Sequence, residues 1–163
     1  MTRMHVFVDT SIFLLILRVP EYENPTQEAT IAKCLEHLVK SDALLYLPLT
    51  TILETGNHIG HISNGAERRR AAQHFVHSIQ EALDGKAPWH VAPFVKEEAL
   101  EACLADFESY AIQKLGLGDV LLIKDAAKRL REFAQARGED VCIWTRDKLL
   151  RAHSPSHCPP PCR

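Results

Sequence analysis

Met4-His5-Val6-Phe7-Val8-Asp9-Thr10-Ser11 begins with apolar, β-branched and aromatic residues and ends on a carboxylate followed by two hydroxyls. The first five residues read as a strand. Asp9 then falls at its carboxyl end, and Thr10 or Ser11 can cap a helix running to about Arg18. A strand that passes directly into a helix starts a β-α-β unit, and the rest of the chain repeats the alternation. A second helix begins near Pro25, with Ile31, Leu35, Leu38 and Val39 at helical spacing. Leu44 to Leu47 is apolar throughout, as in a strand covered on both faces. Pro48 ends it, and Thr51 and Glu54 have capping-box spacing for the next helix.

Further helices are expected from about Ala66 to Leu83 and from Glu97 to about Leu115, with a short strand from Trp89 to Ala92 between them. Gly116-Leu117-Gly118 turns the chain into a helix that carries Asp119 and closes near Gly138. Val141 to Thr145 reads as the fourth strand, and a short helix starts at Asp147. Strands alternating with helices imply a three-layer α/β/α sandwich around a parallel sheet of four or five strands. Ligands of such sheets bind beyond the carboxyl ends of the strands. Asp9 and Asp147 fall there directly, and Glu54 does so after its connecting turn.

The 163 residues suit one domain, placed at 1–152, followed by a Pro/Cys/His-rich tail at 153–163. A net charge of −2 gives no global positive field for nucleic acid, although an enzyme touching a few phosphates needs none. The longest apolar run, Ile12 to Leu17, is far shorter than the roughly 20 residues a membrane span needs. No secretory signal is read, because Asp9 interrupts any apolar leader core. Cys34, Cys103 and Cys142 lie within apolar segments and read as small core residues of a reducing compartment, which points to the cytoplasm.

The chemistry lies in four acids remote from one another in sequence: Asp9, Glu54, Asp119 and Asp147. Taken singly, each has an ordinary explanation at a helix N-terminus or turn. Gathered at one sheet edge, they would repel unless a hard divalent ion sat among them, and Mg²⁺ prefers carboxylates together with substrate phosphates. Such an ion would activate a water and neutralise a scissile phosphate oxygen. Ser11 and Thr145 could orient a carboxylate or a phosphate. Asn57, on the same helical face as Glu54, could hold water or substrate. Arg146 and Lys148, with Arg151, flank the site as candidate phosphate contacts.

Val8-Asp9-Thr10-Ser11, Thr51-Ile52-Leu53-Glu54, Gly118-Asp119-Val120-Leu121 and Trp144-Thr145-Arg146-Asp147, in this order, resemble the four motifs of PIN-domain ribonucleases. The resemblance runs from about Met4 to Leu150. It implies an α/β/α sandwich, a Mg²⁺ or Mn²⁺ site on Asp9, Glu54, Asp119 and Asp147, and cleavage of single-stranded RNA. Ser11 and Thr145 match the family's hydroxyl positions. Small stand-alone members of this kind resemble VapC-type toxins, which implies a cognate antitoxin and a homodimer. A housekeeping RNA-processing nuclease of the same fold, or an inactive RNA- or protein-binding module, are the other readings.

Other motifs carry less. Arg68-Arg69-Arg70 reads as a solvated helix face. His58 with His61, and His74 with His77, lack a third ligand for zinc. The tail His153 to Cys162 has four soft ligands, but its prolines favour an extended, mobile segment and make a poor fifth strand. Gly116 to Leu121 lacks the third glycine and preceding strand of a dinucleotide loop.

Overall fold

The computed structural model describes residues 2–92, 96–160 and 162–163. Its strands are β1 (Met4–Val8), β2 (Leu44–Leu47), β3 (Trp89–Val91) and β4 (Asp140–Trp144). All pairings are parallel, in the order β3-β2-β1-β4. Alternation along each strand creates the layers. Val6, Val8, Leu45, Leu47, Cys142 and Trp144 join the core on one face, whereas Phe7, Tyr46, Val141 and Ile143 join the core on the other. The expected α/β/α sandwich with a parallel sheet is therefore present, with four strands among the described residues.

The helices are α1 (Thr10–Ile16), α2 (Pro25–Lys40), α3 (Leu49–Gly60), α4 (Gly65–Leu83), α5 (Glu97–Ile112), α6 (Leu117–Arg129) and α7 (Lys148–Arg151). After α6 the chain widens into a π-turn over Leu130–Ala134 and tightens over Gln135–Arg137, before Gly138 stops it at φ 66°. That left-handed geometry is what a glycine permits at a helix end. The chain adds β2 and β3 on one side of β1, then crosses to place β4 on the other. The sheet order thus reverses between β1 and β4, where open α/β sheets form their crevices.

Two capping expectations change. Asp9, not Thr10 or Ser11, is the N-cap of α1, accepting from the Ser11 amide, and α1 ends at Ile16 rather than Arg18. The α3 helix starts one turn earlier than its capping-box spacing suggested, with Pro48 as N-cap. Thr51 is consequently inside the helix, and its hydroxyl donates 2.7 Å to the Val8 carbonyl. This bond pins α3 to the end of β1.

The cysteine reading also changes. Cys34 and Cys142 are fully buried, but each is disulfide-bonded to the tail, to Cys162 and Cys158 respectively. Cys103 is a buried free thiol, as expected. Ser156 forms a parallel bridge with Cys142 beside β4, and Cys158 and Cys162 are buried. The tail is therefore stapled to the core instead of hanging free, and its two cysteines are not available as zinc ligands. With only Cys103 unpaired, cysteine usage no longer argues for a reducing compartment. No described helix is long and apolar enough to cross a membrane.

Candidate active site

β1, α3, α6 and the segment after β4 deliver their acids to one cleft of about 350 Å³, lined by Asp9, Thr10, Ser11, Tyr22, Glu54, His58, Asp119, Arg146 and Asp147, among others. Asp9 is the most enclosed of the four acids. Its amide donates 3.0 Å to the Trp144 carbonyl, prolonging the β1–β4 ladder. Its Oδ2 accepts 2.7 Å bonds from both the Ser11 and Thr145 hydroxyls. Those hydroxyls accept in turn: Ser11 Oγ from the Arg146 amide at 3.0 Å and Thr145 Oγ1 from the Asp147 amide at 3.0 Å. Each hydroxyl is polarised by one bond while making another. The two chain segments that meet at the sheet's switch point are thereby locked together around one carboxylate.

The remaining acids are held separately. Glu54 Oε2 accepts 2.8 Å from the Thr10 hydroxyl. Asp119, in the first turn of α6, accepts 2.9 Å from the Gly116 amide. Asp147 caps α7, accepting 2.8 Å from the Leu149 amide. The ordinary helix-terminal roles are therefore real for Asp9, Asp119 and Asp147, whereas Glu54 lies beyond the first turn of α3 and is held from α1 instead. In each case these bonds occupy one oxygen of the carboxylate. Asp9 Oδ1, Glu54 Oε1, Asp119 Oδ1 and Asp147 Oδ2 have no donor among the described residues.

The electrostatics follow from crowding negative charge in a partly dry place. Burial pushes the Glu54 carboxyl above its ordinary range, and the charges of Asp119 and Asp9 push it further, against the Thr10 bond and nearby His58. Burial likewise raises the Asp119 carboxyl, with Asp9 and Asp147 adding to the effect against the Gly116 amide. A divalent cation would relieve both. Among the described residues, no three Asp, Glu, His or Cys side chains close into a ready-made ligand shell. Mg²⁺ does not require one, since it retains water and is commonly held by one or two carboxylates plus substrate phosphate. Open carboxylate oxygens with hydrogen-bonded partners fit that kind of ion.

Not every sequence candidate reaches the cleft. Asn57 and Lys148 are exposed and outside its lining, and the Asn57 carbonyl instead accepts from the His61 ring at 2.7 Å. Thr145 acts from behind, through Asp9. Sequence reasoning overlooked Thr10, Tyr22 and His58. His58 lies four residues after Glu54 and hence on its helical face, a signal obscured by pairing it with His61. Its Nδ1 lies 2.7 Å from the Tyr22 hydroxyl, with the two rings edge-on at 4.8 Å, and both residues line the cleft.

Among solved structures, the chain is similar to FitAcB from Neisseria gonorrhoeae, with a TM-score of 0.56 and 18% identity over 91% of this chain and 91% of that one. At that identity the likeness shows the fold alone. No family model matches the sequence. No curated protein matches it either.

Proposed function

We propose that the chain is a PIN-type, Mg²⁺- or Mn²⁺-dependent endoribonuclease that cleaves single-stranded RNA, acting as the toxin of a toxin–antitoxin pair. The observation that carries the reading is the Ser11–Asp9–Thr145 arrangement, which draws the first and last motifs onto one buried carboxylate in a cleft also lined by Glu54, Asp119 and Asp147. The fold shared with FitAcB supports it.

Asp9 and Asp119 would hold the cation, with Asp147 and Glu54 completing its surroundings. A divalent ion there would supply Lewis acidity toward the scissile phosphate and toward attacking water. The protein's own part is positional. Ser11 and Thr145 hold Asp9 in one orientation, Thr10 fixes Glu54, and Gly116 fixes Asp119. Arg146, on the cleft rim, is placed to contact phosphate. An antitoxin and a second copy of the chain are the proposed partners. Leu100, Leu104 and Ile112, exposed at roughly helical repeat on α5, offer apolar surface for an interface.

The deciding experiment compares wild type with Asp9→Asn on a single-stranded RNA in Mg²⁺. Asparagine caps a helix about as well as aspartate, so the variant should fold normally and lose cleavage. Equal cleavage by the two proteins refutes the assignment.

A further inference from the structure

Behind the acidic cleft, on the far side of Thr145, lies a second cavity of about 150 Å³, lined by Arg146, Arg151, Arg163, Gln27, Thr30 and Ile31, among others. Three arginines border this small space, and none is ion-paired with a carboxylate side chain among the described residues. In a chain of net charge −2, with acids at hand to pair with, that concentration is local. Two of the three are braced. Arg151 donates 2.7 Å to the Thr145 carbonyl, and Arg163 Nε donates 3.1 Å to the Cys158 carbonyl. Each bond uses one donor of a five-donor fork and leaves the others free. Arg163 is here because the Cys34–Cys162 and Cys142–Cys158 disulfides hold the tail against α2 and β4.

A second observation refines the ligand. The side-chain oxygen of Gln27, in the first turn of α2, is buried with no hydrogen-bond partner among the described residues. A buried acceptor without a donor is costly. The cavity therefore offers positive charge for an anion and, beside it, an acceptor lacking a donor. A phosphodiester group alone cannot satisfy both, because it brings only acceptors. A ribose phosphate can: its phosphate faces the guanidinium groups and its 2′-hydroxyl donates to Gln27.

Arg146 borders both cavities, so they adjoin. We infer that the Arg146–Arg151–Arg163 cavity is a ribose-phosphate subsite. It grips a backbone unit of single-stranded RNA next to the scissile bond, with one wall supplied by the disulfide-held tail. This inference rests on the nuclease reading for its choice of substrate, but its test does not depend on cleavage.

The test uses the oxidised full chain in EDTA, so that no strand is cut. Fluorescence anisotropy reads its binding to a labelled ten-nucleotide RNA and to DNA of the same sequence. Arg163→Gln removes one guanidinium. It should weaken RNA binding roughly tenfold, as loss of a charge-assisted contact would. It should also flatten the dependence of log affinity on log salt by about 0.7, the share of one single-strand phosphate. Gln27→Leu should leave DNA binding unchanged and erase the preference for RNA.

Unchanged affinity or an unchanged salt slope in Arg163→Gln overturns the phosphate contact. An unaltered RNA preference in Gln27→Leu overturns the ribose contact. Micromolar binding of inorganic phosphate alone would assign the cavity to a free anion and overturn the substrate role. The two readings fail separately. Absent cleavage by wild type in Mg²⁺, with these binding effects intact, sinks the nuclease and spares the subsite. Cleavage by wild type without the binding effects does the reverse.

Discussion

Gly118 lies directly against Glu54: a β-carbon built on Gly118 would fall closer than 3.0 Å to Glu54 Oε1, nearer than real Cβ atoms approach. Gly118 is in the first turn of α6, one residue before Asp119, and its φ is not left-handed. The need for glycine here is therefore one of space. The missing side chain lets α6 carry Asp119 up to the Glu54 carboxylate.

Gly118→Ala consequently separates stability from activity. In a helix the exchange favours folding by up to about 1 kcal/mol through the unfolded chain. The clash falls on a side-chain tip that can swing away, at the cost of its Thr10 bond. The melting temperature should stay level or rise slightly, while Mg²⁺-dependent cleavage falls roughly 10- to 100-fold through misplacement of Glu54. A variant as active as wild type would show that the Glu54 position is immaterial.

Thr145 is expected to matter through its hydroxyl. Thr145→Val keeps the shape but removes the donor to Asp9 Oδ2 and the acceptor for the Asp147 amide. Loss of a partner that orients a metal ligand typically costs about 10- to 100-fold in metal affinity or activity. Titration with Mn²⁺ should show weaker binding in Thr145→Val and recovery in Thr145→Ser, which restores the hydroxyl. Equal affinity in all three proteins would leave Thr145 a packing residue.

The raised carboxyls of Glu54 and Asp119 set a pH dependence. Both titrate higher when folded than when unfolded, chiefly through burial and then through neighbouring acids. Their contribution to stability is therefore present below the unfolded values near 4 and is lost as pH rises through the folded values. Near pH 7 both are strained, so metal-free Glu54→Gln should melt above wild type. That gap should close as the buffer is acidified toward pH 4 or as Mg²⁺ is added to wild type. Metal affinity should weaken on acidification at a higher pH than ordinary carboxylates would give. A metal-free Glu54→Gln melting below wild type at pH 7 would contradict the charge crowding.

Much of this was legible in the sequence because the signals were local and periodic. Continuous apolar runs over Leu44–Leu47 and Val141–Ile143 marked buried parallel strands, and an acid following each segment pointed to the sheet edge. What escaped were choices made by tertiary contact. Thr51 matched a local cap, but the Val8 carbonyl, 43 residues away, takes its hydroxyl. Thr10 matched a cap as well, yet its hydroxyl goes to Glu54. The Tyr22–His58 wall joins residues 36 apart with no sequence pattern between them. The prolines of the tail rightly argued against a strand, since only the isolated Ser156 bridge forms among its described residues, but they also suggested mobility, which the two disulfides remove. Disulfide pairing between Cys34 and Cys162, 128 residues apart, cannot be read from spacing at all.

The cysteine pairing gives the last prediction, testable by counting thiols. Denatured without reductant, the protein should show one reactive thiol, from Cys103, out of five cysteines. After reduction, all five should react. Each bond limits the unfolded chain, and breaking one such link typically costs about 2–4 kcal/mol. Cys162→Ser should therefore lower the melting temperature by several degrees in oxidised protein, and by much less when wild type and variant are both reduced. Cys103→Ser removes no link and should act only through its small buried volume. Its effect should be the same with or without reductant. Five reactive thiols in the unreduced chain would mean the tail is not stapled, and the Arg163 wall of the second cavity would lose its anchor.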